Sequence, residues 1–73
     1  MNKELYTMLE SMANAEIAKA KMSLKLLGEH PVGIGDHSTE DFYKNADEAL
    51  SKLAEAQDKL ECLEKNYLQI VKL

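Results

Sequence analysis

From Phe42 to Ile70 the chain places an apolar residue at alternating steps of four and three: Phe42, Ala46, Ala49, Leu53, Ala56, Leu60, Leu63, Tyr67 and Ile70. No polar residue interrupts the series. A repeat of about 3.5 residues keeps one narrow stripe turned toward a neighbour, so the stretch predicts a helix packed lengthwise along another helix. Between the stripe positions lie Asp47, Glu48, Lys52, Glu55, Asp58, Lys59, Glu61, Glu64 and Lys65, which solvate the outer face. The pairs Glu48/Lys52, Glu55/Lys59 and Glu61/Lys65 sit four apart with the acid first, each worth about 0.2–0.5 kcal/mol of helix stability.

The partner is the first third of the chain. Counting back from Leu27 by threes and fours gives Leu24, Ala20, Ile17, Ala13, Glu10 and Tyr6, a stripe broken only at Glu10, with Leu9 beside it. Asn2 is the expected N-cap, Glu4 suits the positive end of the helix dipole, and Gly28 is the expected left-handed stop. The connector runs from Gly28 to His37. Pro31 disfavours helix at His30, and Gly33 and Gly35 discourage its continuation. A capping-box variant, Ser38-Thr39-Glu40-Asp41, opens the second helix, and nothing afterwards breaks it before Leu73.

In an antiparallel pair the numbers of facing residues have a constant sum, and here one register satisfies both stripes at 69 or 70. It sets Leu27 against Phe42, Leu24 against Ala46, Ala20 against Ala49, Ile17 against Leu53, Ala13 against Ala56, Leu9 or Glu10 against Leu60, and Tyr6 against Leu63. Two Ala-on-Ala layers permit close approach. The flanks agree, with Glu16 opposite Lys52 and Asn14 opposite Gln57. The expected fold is therefore all-α: an antiparallel two-helix hairpin of residues 2–27 and 38–73, forming one domain over 1–73.

That hairpin leaves apolar surface uncovered. Helices of about 26 and 36 residues span roughly 39 and 54 Å, so the end of the second, with Tyr67, Leu68, Ile70, Val71 and Leu73, is expected to overhang the start of the first. The first helix also carries a second apolar strip: Leu5, Met8, Met12, Ala15, Met22 and Leu26. Dimerisation into a four-helix bundle, through that strip and the overhang including Tyr67, Ile70 and Val71, would cover both.

Composition supports association over chemistry. Seventy-three residues lie near the lower limit for a self-sufficient core, and the single cysteine, Cys62, offers no staple. Thirteen Asp and Glu face nine Lys and no Arg, which opposes phosphate or nucleic-acid recognition. No apolar run reaches the ~18 residues of a membrane span. The start of the chain lacks a signal-peptide pattern, and a cytoplasmic location is the expectation. Lys19, Lys21 and Lys25 are the main basic concentration, but they spread around the helix rather than lining one stripe.

Candidate chemistry is sparse. His30, Asp36 and His37 in the connector are weak metal-ligand candidates, with Glu29 and Asp41 nearby, because their spacing matches no standard ligand motif. A polar connector in which Val32 and Ile34 plug the end of the hairpin is the plainer reading. A di-metal centre would need inward Glu-x-x-His pairs, which the chain lacks. Glu10 and Glu16 read as edge carboxylates paired with lysine. Cys62 sits among acids that raise a thiol pKa and reads as inert. The methionines suit helix packing at an oligomer interface. No cofactor is expected.

The connector Gly28-Glu-His-Pro-Val-Gly-Ile-Gly-Asp-His-Ser38, followed by Ala54-Glu-Ala-Gln-Asp-Lys-Leu-Glu61, resembles a pattern of small uncharacterised two-helix proteins of T4-like tailed phages, marine ones especially. The resemblance covers residues 28–61. It implies phage origin and expression in a bacterial host cytoplasm, and it carries no activity. The Ala/Leu layering is also similar in kind to Rop-like hairpins, which dimerise and bind paired RNA loops, although the connector here is far longer and no RNA-binding residue carries over. The functional expectation is a non-enzymatic protein–protein interaction or structural accessory module, its partner a second copy or another protein. A Rop-like RNA-binding dimer and a connector metal site are the alternatives.

Overall fold

The computed structural model describes residues 2–29 and 38–67, with the backbone alone at Ser38. Two helices, α1 (Lys3–Glu29) and α2 (Ser38–Lys65), pack against each other antiparallel, and no strand occurs among the described residues. The start of α1 meets the end of α2 through Tyr6 and Tyr67, while the second half of α1 shares a groove with the first half of α2.

The seam lies where the apolar period puts it. Among the described residues, Ala13, Ala20, Ala49 and Ala56 are the buried ones, each at most 7% exposed. Phe42, Ala46, Leu53, Leu60 and Leu63 on α2 and Tyr67 just past its end, with Tyr6, Leu9, Glu10, Ile17, Leu24 and Leu27 on α1, are half-buried along it. Small side chains take the line of closest approach, and larger ones fill the flanks just beside it. Among the described residues nothing larger than alanine is buried, because a single helix–helix contact surrounds a side chain on two sides at most.

Asn2 caps α1 as its side chain predicts: Asn2 Oδ1 accepts the Leu5 N–H at 2.8 Å, and the Asn2 carbonyl accepts the Tyr6 N–H at 3.1 Å. The other end of α1 differs from expectation. Helix continues through Gly28 to Glu29, so Gly28 is helical rather than a left-handed stop. A glycine inside a helix costs only about 1 kcal/mol, which does not end a helix whose seam residues Leu24 and Leu27 are already packed. Pro31, which disfavours helix at the residue before it, supplies the stronger stop.

α2 is regular through Lys65, then turns at Asn66 before Tyr67. The Asn66 amide Nδ2 donates to the Cys62 carbonyl at 2.7 Å, and the Asn66 backbone N–H donates to the same oxygen at 3.2 Å. A side chain competing for the carbonyl four residues back loosens the ladder there. The helix expected to continue to Leu73 lies outside the described residues beyond Tyr67. Over the described residues the helices are nearly equal, at 27 and 28 residues.

Two stability outcomes follow from this geometry. Ala20→Leu should overpack the closest layer and cost about 1–3 kcal/mol, whereas Ala18→Leu on the exposed side should change little. Gly28→Ala should add about 0.5–1 kcal/mol, since its backbone is helical and nothing lies within 4 Å of an added Cβ. Urea unfolding followed by circular dichroism reads both.

Candidate interaction surface

Helical spacing alone places the second strip of α1. At about 100° per residue, Leu5, Met8, Met12, Ala15, Met22 and Leu26 centre roughly 140–150° around the helix from the seam. They therefore lie mostly on the back of α1, although Leu26 also lines the groove that α1 shares with α2. The structure leaves them open: Leu5, Met8, Met12, Met22 and Leu26 are 42% to 57% exposed. Lys19 falls in the same strip, with its Nζ held 3.4 Å from Glu16 Oε1 at the strip's edge. Glu16 lines the same groove as Lys52, as the register requires, but its ion pair is with Lys19 of its own helix. A three-residue step along one helix is a shorter reach than the span across two.

That groove is a concavity among the described residues. It encloses about 420 Å³ on one flank of the pair, with Ala20 and Ala49 as its floor and Glu16, Lys19, Glu48 and Lys52 on its walls. Alanines that let the helices approach also leave a trench beside the contact. Charges of both signs alternate around it, so it concentrates no field for an ionic substrate. Ser23 lines it among the carboxylates and lysines of the walls, and no histidine does.

At the opposite end the rings of Tyr6 and Tyr67 meet edge to face, 4.3 Å between centroids. The register pairs Tyr6 with Leu63 by backbone level. Side chains tilt toward the start of their own helix, however, and in an antiparallel pair this swings the two rings toward each other. Tyr67, expected in the overhang, thus packs within its own chain. Glu10, the lone polar residue of the α1 stripe, also gains a role: its carboxylate accepts a hydrogen bond from the Tyr6 phenol one turn back. The Tyr6 pKa is raised above its ordinary 10.0, chiefly by lost hydration, then by the negative charges of Glu10 and Glu64, the neighbouring Tyr67 and that hydrogen bond.

The connector candidates His30, Asp36 and His37, and the overhang residues Ile70 and Val71, lie outside the described residues. Among the described residues no group of three His, Cys, Asp or Glu is arranged to hold a metal ion, and no helix is long and apolar enough to cross a membrane. Cys62 is a free, exposed thiol, with Asn66 Nδ2 3.7 Å from its sulfur. Of the three Glu/Lys pairs expected on α2, Glu55/Lys59 closes at 3.3 Å. Two exposed apolar residues escape a reading based on stripes: Tyr43 at 61% and Leu50 at 56%, seven apart on one flank of α2. Their heptad position continues as Gln57 and Glu64, so periodicity gave no apolar signal there. Set against known protein families, curated proteins and solved structures, the chain matches none.

The Tyr6 cluster has a pH signature. A folded-state pKa raised above the unfolded value means that the neutral phenol stabilises the fold. That contribution is complete below about pH 10 and disappears as pH rises through the folded pKa. Absorbance titration at 295 nm should show Tyr6→Phe losing a phenolate step above the ordinary tyrosine range. The variant should also unfold less readily than the parent on moving from pH 9 to pH 11.

Proposed function

We propose that the chain is a non-enzymatic helical interaction module that self-associates, two hairpins forming a four-helix dimer through the back of α1. The observation that carries this reading is the pairing of a thin core with a long apolar strip. Four alanines are all that the described hairpin fully buries, while five large apolar side chains stand open along one face of α1.

The same features disfavour an enzyme, which needs an enclosed pocket and a nucleophile or acid with its orienting partner. Nucleic-acid binding gains no support either. Lys21 and Lys25 share one side of α1 and Lys19 lies on another, tied to Glu16, so they form no single cationic track. An adaptor or assembly accessory, acting in a bacterial host cytoplasm if the phage resemblance holds, fits a rod whose features are all packing features. Tyr43 and Leu50 on the far flank then remain open to a different protein.

Sedimentation equilibrium at micromolar concentration tests the reading. The parent chain should sediment at twice its monomer mass. Met12→Glu combined with Leu26→Glu should shift it to monomer and lower its melting temperature, because exposed carboxylates replace the contact. A parent chain that stays a stable, well-folded monomer at tens of micromolar would refute self-association.

A further inference from the structure

The exposed strip of α1 is complementary to itself read backwards. Leu5, Met8, Met12, Ala15, Lys19, Met22 and Leu26 run large and apolar at both ends and small in the middle. We infer that two copies pack α1 on α1, antiparallel, about a two-fold axis beside Ala15, so that the four helices form one layer in the order α2, α1, α1, α2. This rests on the self-association proposed above and specifies its geometry.

Four observations lead to that arrangement. The strip lies far around α1 from the seam, so a second copy docked on it stands on the opposite side from α2. A square bundle would need an apolar face about 90° from the seam instead. In the antiparallel register whose facing numbers sum to 30 or 31, Leu5 meets Leu26 of the second copy, Met8 meets Met22, and Met12 meets Lys19. Ala15 then meets its own mate at the axis, which allows the close approach that Ala20 and Ala49 allow within the hairpin. Lys19, the polar residue in the strip, can lay its methylenes over Met12 of the second copy while its ammonium stays with Glu16 at 3.4 Å.

Charge selects the direction. One edge of the strip carries Glu4 near the start of α1 and Lys25 near its end, both exposed. Antiparallel packing sets Glu4 against Lys25 of the second copy, twice over by symmetry. Parallel packing would set Lys19 on Lys19 and carry Glu4 and Lys25 of the two copies to opposite sides of the contact, where they make no pair. The one like-charge approach in the antiparallel form is Glu16 with its mate near the axis, and each Glu16 already has its Lys19 partner. A two-fold contact of this kind closes on itself and does not propagate into a filament.

Site-directed crosslinking in a Cys62→Ser chain tests the geometry. Ala15→Cys should form a disulfide-linked dimer rapidly under mild copper–phenanthroline oxidation, because residues at the axis bring their Cβ atoms within disulfide reach. Leu5→Cys and Leu26→Cys should each resist crosslinking alone, their like positions lying about 30 Å apart, yet crosslink to one another when mixed. Each variant is checked for parental helix content by circular dichroism. As an independent measurement, Glu4→Lys and Lys25→Glu should each weaken dimerisation on the order of tenfold, the scale of two exposed ion pairs turned repulsive, and the double exchange should restore it. Self-crosslinking of Leu5→Cys, or a sedimenting dimer in which Ala15→Cys stays reduced, overturns this geometry and leaves self-association standing. A parent chain that is monomeric throughout overturns both.

Discussion

The burial of four alanines along one seam, Ala13 and Ala20 on α1 and Ala49 and Ala56 on α2, each pair one heptad apart, is the constraint on which the rest of this hairpin depends. Small side chains at those positions bring the helix axes close. That closeness sets how far Leu24, Ile17, Leu53 and Leu60 can wrap around the seam. It also opens the charged trench on the flank above Ala20 and Ala49. A bulkier layer would separate the helices and leave the half-buried leucines with less to touch.

The same geometry explains why one chain is a poor candidate for a finished structure. Two helices meet along a line, and a line encloses little. The leucines, tyrosines and phenylalanine of the seam are all partly wet, so each contributes only part of the transfer free energy of a core side chain. A third surface is needed to dry such a rod, and the back of α1 is where the sequence places apolar residues for it.

Aromatic packing joins the start of α1 to the residues just past α2. Tyr6 and Tyr67 bring the largest apolar area available to the last layer, edge to face. Glu10 can occupy a stripe position there because a phenol hydroxyl lies one turn away to satisfy it. A polar residue in the seam is thus tolerated at the rim, where water and an aromatic hydroxyl share the work of solvating it.

Which residues face the seam was legible in the sequence, because helical periodicity is a one-dimensional property that assigns every position to a face. Asn2 as cap, the Ala layers and the uncovered strip from Leu5 to Leu26 all follow from that. Periodicity carries no information on where a side chain points once it leaves its backbone. The meeting of Tyr6 with Tyr67, the pairing of Glu16 with Lys19 rather than across to Lys52, and the hydrogen bond from Tyr6 to Glu10 were decided only when two tilted sets of side chains were brought together. The helical Gly28 belongs with these: its local preference for a stop is worth about 1 kcal/mol, and packing of the turn before it outweighs that. Tyr43 and Leu50 were missed for the opposite reason. Two residues on a flank make no period, and only the accessible surface of the folded pair shows that nothing covers them.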